Sequence, residues 1–309
     1  PSGTNLDEIK LLADQTAAKA GQGGVDAIKG SLTISAADIT NKLKTFTNLT
    51  SDNNYIAFTL DNEVSIADAA ALVNKMHTSA TIDFAQGIKG DIADLAKTDG
   101  TEAVSTALAA VLAKDPTVNI KVTDTVDSDN KVKALNAIRK GVTSGTITAG
   151  TVSIDAAAAT EFKTGTGYFD AADPLTITIS DALDVAAFNI IDGISNKSVT
   201  LTTGLKDDLA NLITKADTLS LGAANANTQN GNALKIEVKD AVTTTSNMEL
   251  LDDLVTATTG VVTASVTGSA SNINTKFGNL GGADKITFTV SGTSDKASLT
   301  SVDDKTVLD

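Results

Sequence analysis

The chain contains no cysteine and no tryptophan, and among its 309 residues there is one histidine, His77, and one arginine, Arg139. Without cysteine there is no disulfide, no thiolate nucleophile and no zinc or iron–sulfur centre of the Cys/His kind. A catalytic triad would have to use His77. That residue closes the helical pattern Leu72-Val-Asn-Lys-Met-His77, where a cationic group near a helix C-terminus is the simpler reading. Basic residues are also scarce: 24 Lys and Arg stand against 38 Asp and Glu, a formal charge of -14. Nucleic-acid binding draws its affinity from neutralised phosphates, and anionic membranes attract basic segments, so this balance argues against both partners. No run of about 18 apolar residues is present, so no membrane insertion is expected. Aromatic residues make up 3% of a chain that is 41% hydrophobic. The core must therefore be assembled from Ala, Val, Ile and Leu, which suit thin repeated layers.

Catalytic signatures are equally sparse. No nucleophile elbow, Walker loop or dinucleotide fingerprint lies in a suitable context, and Gly165-Thr-Gly167 runs into Tyr168-Phe169 rather than into a helix. The adjacent pairs Asp207-Asp208, Asp252-Asp253 and Asp303-Asp304 are expected to point to different sides of helices and to solvate the surface. We expect no enzyme and no resident cofactor.

What the chain does have is a phrase that returns: Leu32-Thr-Ile-Ser-Ala-Ala-Asp38, Val64-Ser-Ile-Ala-Asp-Ala-Ala70, Val152-Ser-Ile-Asp-Ala-Ala-Ala158 and Leu175-Thr-Ile-Thr-Ile-Ser-Asp-Ala182. Each is a short alternating strand running into a Ser or Asp able to cap the Ala- and Leu-rich stretch after it. Ser35 with Asp38, and Ser65 with Asp68, have capping-box spacing, and Ser180 with Asp181 and Asp184 places carboxylates in a first helical turn. Alternating segments begin near Leu32, Ile56, Ile82, Val118, Ile147, Ile177, Val199, Leu219, Ile236, Val261 and Ile286, so successive starts lie 17 (Leu219 to Ile236) to 36 (Ile82 to Val118) residues apart. That spacing brackets the 20–30 residues of repeats that pair one strand with one helix. Strand, helix, strand implies parallel pairing through right-handed crossovers.

The fold class read from this pattern is α/β: a solenoid-like array of strand–helix repeats with one parallel sheet flanked by helices. A β-solenoid with short helical insertions is the alternative. Residues 1–30 are read as an N-terminal capping helix, from Asn5 to about Ala20 with an apolar side of Leu6, Ile9, Leu11, Leu12 and Ala13, followed by a Gly21-Gln-Gly-Gly24 break. Residues 31–290 form the array. The gap after Ile82 leaves room for a two-helix insertion near 86–114, with helices over Gln86 to Lys97 and Glu102 to Lys114. Another helix is expected within Gly204 to Lys215, its leucines inward and Lys206, Asp207 and Asp208 in water. Gly222 to Asn232 reads as a surface loop, and residues 291–309 as a tail or the start of a following repeat. The opening Pro1-Ser-Gly-Thr4 has neither Met nor a leader, so we expect a processed or excerpted part of something longer.

Calcium is the one ligand the residues suggest. Thr123-Asp-Thr-Val-Asp-Ser-Asp-Asn130 places Asp124, Asp127 and Asp129 in a loop of hard oxygen donors, although Lys131 and Val132 break the EF-hand pattern and turn formation explains the same residues. Gly281-Gly-Ala-Asp284 is similar to one step of the Gly- and Asp-rich nonapeptides of RTX toxins, without their second step or their repetition. Asn48-Leu-Thr50 and Asn196-Lys-Ser198 are formal glycosylation acceptors. Flat Thr arrays could meet surface carbohydrate, yet they lack a strict register.

The recurring phrases, with Val262-Thr-Ala-Ser-Val-Thr-Gly-Ser-Ala-Ser-Asn-Ile273 as a later variant, resemble the degenerate Thr/Ala/Asp-rich repeats of large bacterial surface proteins described as adhesins, S-layer-like or RTX-associated. The resemblance covers Leu32 to Val290 and implies a location outside the cell or on its surface, and a structural or adhesive role. Three functions follow as expectations. The first is a filament, sheet or S-layer-like coat built by self-association or with flanking repeats of a longer chain. The second is an adhesin or phage-fibre stalk presenting a binding loop. The third, a carbohydrate-active enzyme, is disfavoured because one Arg and two Tyr leave little to grip an acidic sugar. Self-association is expected through the last strand, with Phe288 and Val290 near the junction and no capping helix after it.

Overall fold

A computed structural model describes residues 6–19, 27–170, 173–194, 197, 199–214, 218–219, 234–278, 280 and 283–303. The Gly21–Gly24 break, the Gly222–Asn232 loop and Asn196 lie outside them. The chain is α/β, with mostly parallel ladders flanked by helices. It divides into two compact units, residues 1–152 with 161–175, and residues 153–160 with 176–309. The stretch 31–290, read from the sequence as one array, is shared between them.

The first unit contains α1 (Leu6–Lys19), β1 (Ile28–Ile34), α2 (Ala36–Asn41), β2 (Asn54–Leu60), β3 (Val64–Ser65), α3 (Ile66–Val73), β4 (Ile82–Asp83), β5 (Ile88–Gly90), α4 (Ile92–Leu95), α5 (Thr106–Leu112), α6 (Asp129–Gly141), which follows β6 (Ile120–Val126), and β7 (Ile147–Ile154), whose last two residues count with the second unit. The second contains α7 (Ala156–Ala159), β8 (Ile177–Ile179), α8 (Val185–Gly193), β9 (Val199–Leu201), β10 (Leu205–Asp207), α9 (Leu209–Leu212), β11 (Ile213–Thr214), β12 (Thr218–Leu219), β13 (Ile236–Val238), α10 (Thr245–Ala257), β14 (Val262–Gly268), α11 (Ala270–Lys276), β15 (Lys285–Val290) and α12 (Lys296–Asp303).

In the first unit β1-β2-β4 form one parallel ladder and β3-β5-β6-β7 another. In the second, β8 pairs with β9, and β10-β13-β14-β15 form a parallel ladder, while β11 and β12 are antiparallel. Parallel partners lie 22 residues apart at Ile177 and Val199 and 32 apart at Ile88 and Ile120, with the other first partners between these limits. Each of these strands therefore pairs with one that lies 22 to 32 residues away along the chain.

The single sheet expected from the sequence is interrupted, and two of the interruptions fall at glycines. Between β4 and β5 the chain turns at Gly87, with φ +81, and an added Cβ would lie 2.6 Å from the Asn119 carbonyl oxygen. Between β9 and β10 it turns at Gly204, with φ +101, where a Cβ would lie 2.0 Å from the Lys235 oxygen. Only glycine fits a left-handed conformation pressed on a neighbouring backbone. The Gly87 turn separates β4 from β5, which joins a ladder already begun at β3, and the Gly204 turn separates β9 from β10, which begins a new one.

The caps explain why a helix follows a strand so often. The side chains of Ser35, Ser65, Ser105, Asp155, Asp184, Thr244 and Ser269 each accept the backbone N–H three residues on. Losing such a cap costs about 1 kcal/mol. Ser35 and Asp38 complete a capping box, as the spacing predicts. Near Ser180 the outcome differs, because α8 starts at Val185 and its cap is Asp184. Inward side chains are packed to near-zero exposure, Ile56, Phe58 and Leu60 of β2 being at most 2% exposed. Truncating one of these costs about 2–5 kcal/mol.

The insertion near 86–114 does carry two helices, α4 and α5, each shorter than the range expected for it, and β5 precedes them, because Gly87 turns the chain where the first helix was expected to begin and Gly90 sits against Ile66 in the ladder beyond it. Two expectations about helices are corrected. The helix expected over Gly204–Lys215 is the sequence β10, α9, β11, with Leu205 and Asp207 buried as alternate strand residues. A helix, α12, does follow the last strand, and it packs on α11. The N-terminal helix is present as α1, with Leu6, Ile9 and Ala13 buried but Leu11 and Leu12 turned outward.

Candidate functional site

The acidic loop comes first, because the sequence singled it out. Asp124 lies near the end of β6, Asp127 in the turn after it, and Asp129 is the first residue of α6. One oxygen of Asp124 accepts the Ile92 N–H at 2.8 Å and the other lies 3.4 Å from the Lys131 ammonium. The same ammonium is 3.2 Å from Asp127 and donates to the Thr125 carbonyl at 2.6 Å. Burial opposes its charge, but Asp127 and Asp124 outweigh that and hold its pKa above the usual value. Lys131, passed over in the sequence as a mismatch to the EF-hand loop, thus occupies the cation position between two of the candidates. Asp129 is not drawn into the group, and no cluster of three potential metal ligands exists among the described residues.

The other polar groups the sequence marked serve the fold. Asp284 accepts the Val262 N–H at 2.9 Å, closing β14 onto the next turn of chain, while Gly281 and Gly282 lie outside the described residues. Asn48, a formal glycosylation acceptor, is half-buried and donates to Asp14 at 2.8 Å. His77 stacks on Tyr55 at 3.8 Å between ring centroids, and its Nδ1 meets the Ser79 hydroxyl at 2.8 Å. Asp207, expected in water, is buried and accepts from the Val185 N–H, the Asp208 N–H and the Asn211 amide. Burial pushes its pKa up, yet these bonds prevail and hold it below the usual carboxylate value.

Some tightly held groups gave no sequence signal because their partners are distant. The Lys114 ammonium lodges among the carbonyls of His77, Thr78 and Ala80 at 2.7, 2.7 and 3.0 Å. Burial lowers its pKa. Arg139 on α6 places Nε 2.9 Å from the buried Asp173 and Nη1 3.0 Å from the Val142 carbonyl.

The last strand–helix unit departs from the rest. Along β14, Ala264, Val266 and Gly268 are buried, whereas their ladder partners on β15, Ile286, Phe288 and Val290, are only half-buried. Phe288 packs edge-on to Phe277 at 5.3 Å between ring centroids. Lys285, Thr287 and Thr289 are exposed on the opposite face, and β15 ends its ladder. On α11 Ile273 is fully buried, but on α12 Leu299 is 44% exposed. The segment the sequence named through Phe288 and Val290 is thus a half-buried strand at the end of its ladder. No helix among the described residues is long and apolar enough to cross a membrane.

No protein-family model, no curated protein and no solved structure matches this chain.

Proposed function

We propose that this chain is a structural building block of an extracellular or cell-surface assembly, made of strand–helix repeats stacked as a solenoid, and that it works by association and not by catalysis. The observation that carries the reading is the end unit. Among the described residues β15 has a ladder partner on one side, and its inward side chains are half-buried where those of β14 are fully covered. An open edge of this kind adds another strand unless it is capped or charged. The cysteine-free, acidic, Thr-rich composition supports a place outside the cell, where a high negative charge keeps free subunits apart until they dock.

Sedimentation velocity and negative-stain microscopy over a concentration series test this. Fibres or lattices growing with concentration are the expected result, and Ile286→Pro/Val290→Pro, which strips two backbone donors that point away from β14 because the alternate Ser291 N–H donates to Gly268, dissolves them. A monodisperse monomer at high concentration overturns self-assembly and leaves the stalk of an adhesin in its place.

A further inference from the structure

Two strands stand at the ends of the major parallel ladders, β15 in the second unit and β1 in the first. Both are long, at 6 and 7 residues, and both alternate apolar and polar side chains. Among the described residues four large apolar side chains are exposed: Leu11, Leu12, Ile190 and Leu299. Three of them flank these two strands. Leu11 and Leu12, at 57% and 47% exposure, lie on α1, which packs beside β1, and Leu299, at 44%, lies on the helix that follows β15. Apolar surface left in water is therefore concentrated at the two chain ends of the ladders.

The two surfaces also differ in a complementary way. β15 presents a knob, the half-buried ring of Phe288. β1 presents a gap at Gly30, where an added Cβ would meet nothing within 4 Å. A small cleft of about 40 Å³ opens beside it, bounded by Ile9, Leu12, Ile28, Leu32 and Ile56. Interior strands of both ladders set inward residues opposite inward residues, as in Val266 with Phe288 and Gly30 with Ile56. A strand added to β15 must obey the same rule.

We propose that the occupant of the β15 edge is β1 of a second copy, added parallel and in one register, with Phe288 opposite Gly30. This rests on the self-assembly reading above and specifies its contact. In that register Ile286 faces Ile28 and Val290 faces Leu32 on the inner side, while Thr287 faces Lys29 and Thr289 faces Ser31 on the outer side. A shift of one residue turns every apolar side chain outward, and a shift of two sets the Phe288 ring against Ile28 or Leu32, where there is no gap. The helices follow: Leu299 of one copy covers Leu11 and Leu12 of the next. Because the two surfaces differ, the contact is head-to-tail and does not close on itself as a twofold dimer does, so it propagates from copy to copy, as a filament unless the rotation closes a ring.

Cysteine pairs test the register, since the parent chain has none. Directly opposite residues on neighbouring strands are about 4.8 Å apart, within the span of a disulfide. Thr287→Cys and Lys29→Cys proteins, purified separately, mixed and mildly oxidised, are expected to give a covalent heterodimer. Thr287→Cys with Thr33→Cys, about 13 Å further along the strand, is expected to give at least tenfold less. Gly30→Leu should raise the concentration at which fibres form at least tenfold while leaving the monomer's melting temperature unchanged. If fibres form but the two cysteine pairs cross-link equally, or Gly30→Leu has no effect, this contact is wrong and self-assembly stands. If no association occurs at any concentration, both fall.

Discussion

Replacing Arg139 by methionine should destabilise the first unit more than any other single change to a charged residue. The guanidinium is 11% exposed and its partner Asp173 only 2%. Besides Arg139, Asp173 accepts the Ile147 and Asp170 N–H groups, each at 3.3 Å. Methionine keeps much of the side-chain volume and removes the charge, so a carboxylate is left in the interior with two long hydrogen bonds. Breaking a buried pair from one side costs about 3–5 kcal/mol. For a unit of this size each kcal/mol lowers Tm by roughly 2–4 °C, so the expected loss is about 6–12 °C even at the low end of that cost. Arg139→Lys should fall between, because one ammonium cannot serve both the carboxylate and the Val142 carbonyl that the guanidinium reaches. Arg139→Met combined with Asp173→Asn should cost less than the two singles summed, with a coupling of about 1.5 kcal/mol or more. Urea unfolding followed by circular dichroism measures all four proteins. Additive singles, or an Arg139→Met protein within about 0.5 kcal/mol of the parent, refute the argument that this pair is coupled and buried.

Three further outcomes are expected. Asp207→Ala should cost about 2–3 kcal/mol, as three donors lose a charged acceptor. Because the folded pKa of Asp207 lies below the usual 3.8, its contribution is present above that value and is lost as pH falls through the folded pKa, so an acid titration of stability should be shallower in Asp207→Ala than in the parent. Asp192 is the opposite case: burial raises its pKa, one of its oxygens is buried without a partner, and it sits in the last turn of α8. Its penalty is present above its folded pKa and relieved below it, so Asp192→Ala should be more stable than the parent at pH 7, by up to about 1 kcal/mol, and chemical denaturation at pH 7 and pH 4 should show the gain shrinking in acid. Lys114→Met should release the chain at 77–80, seen as faster amide exchange there than in the neighbouring β4 and β2, at a stability cost of about 1–3 kcal/mol.

The strands were the most legible part of the chain. Every expected strand start coincides with an observed strand or lies within two residues of one, because a half-buried strand writes its period of two directly into the sequence. β5, β10 and β11 were missed. They are two or three residues long, too short to show a period, and β5 and β10 directly follow the turns at Gly87 and Gly204. Leucines at 205, 209 and 212 keep helical spacing while only Leu209–Leu212 forms a helix, so in that stretch ladder pairing with Ile236 overrides the local pattern. The Ser and Asp caps were readable because their bonds are local. The acidic loop shows the converse limit: the sequence shows three carboxylates close together but not that Lys131 folds back between two of them, and it cannot show that Arg139 meets Asp173 at all.

The spacing of the ladders carries a consequence for how the molecule is made. Every parallel strand finds its partner within 32 residues of itself, so each hairpin-sized length of chain can dock as soon as it emerges, onto a template already formed by the length before it. Little has to wait for the far terminus. A polypeptide threaded slowly through a ribosome exit or a secretion channel can then pair its strands in the order in which they appear.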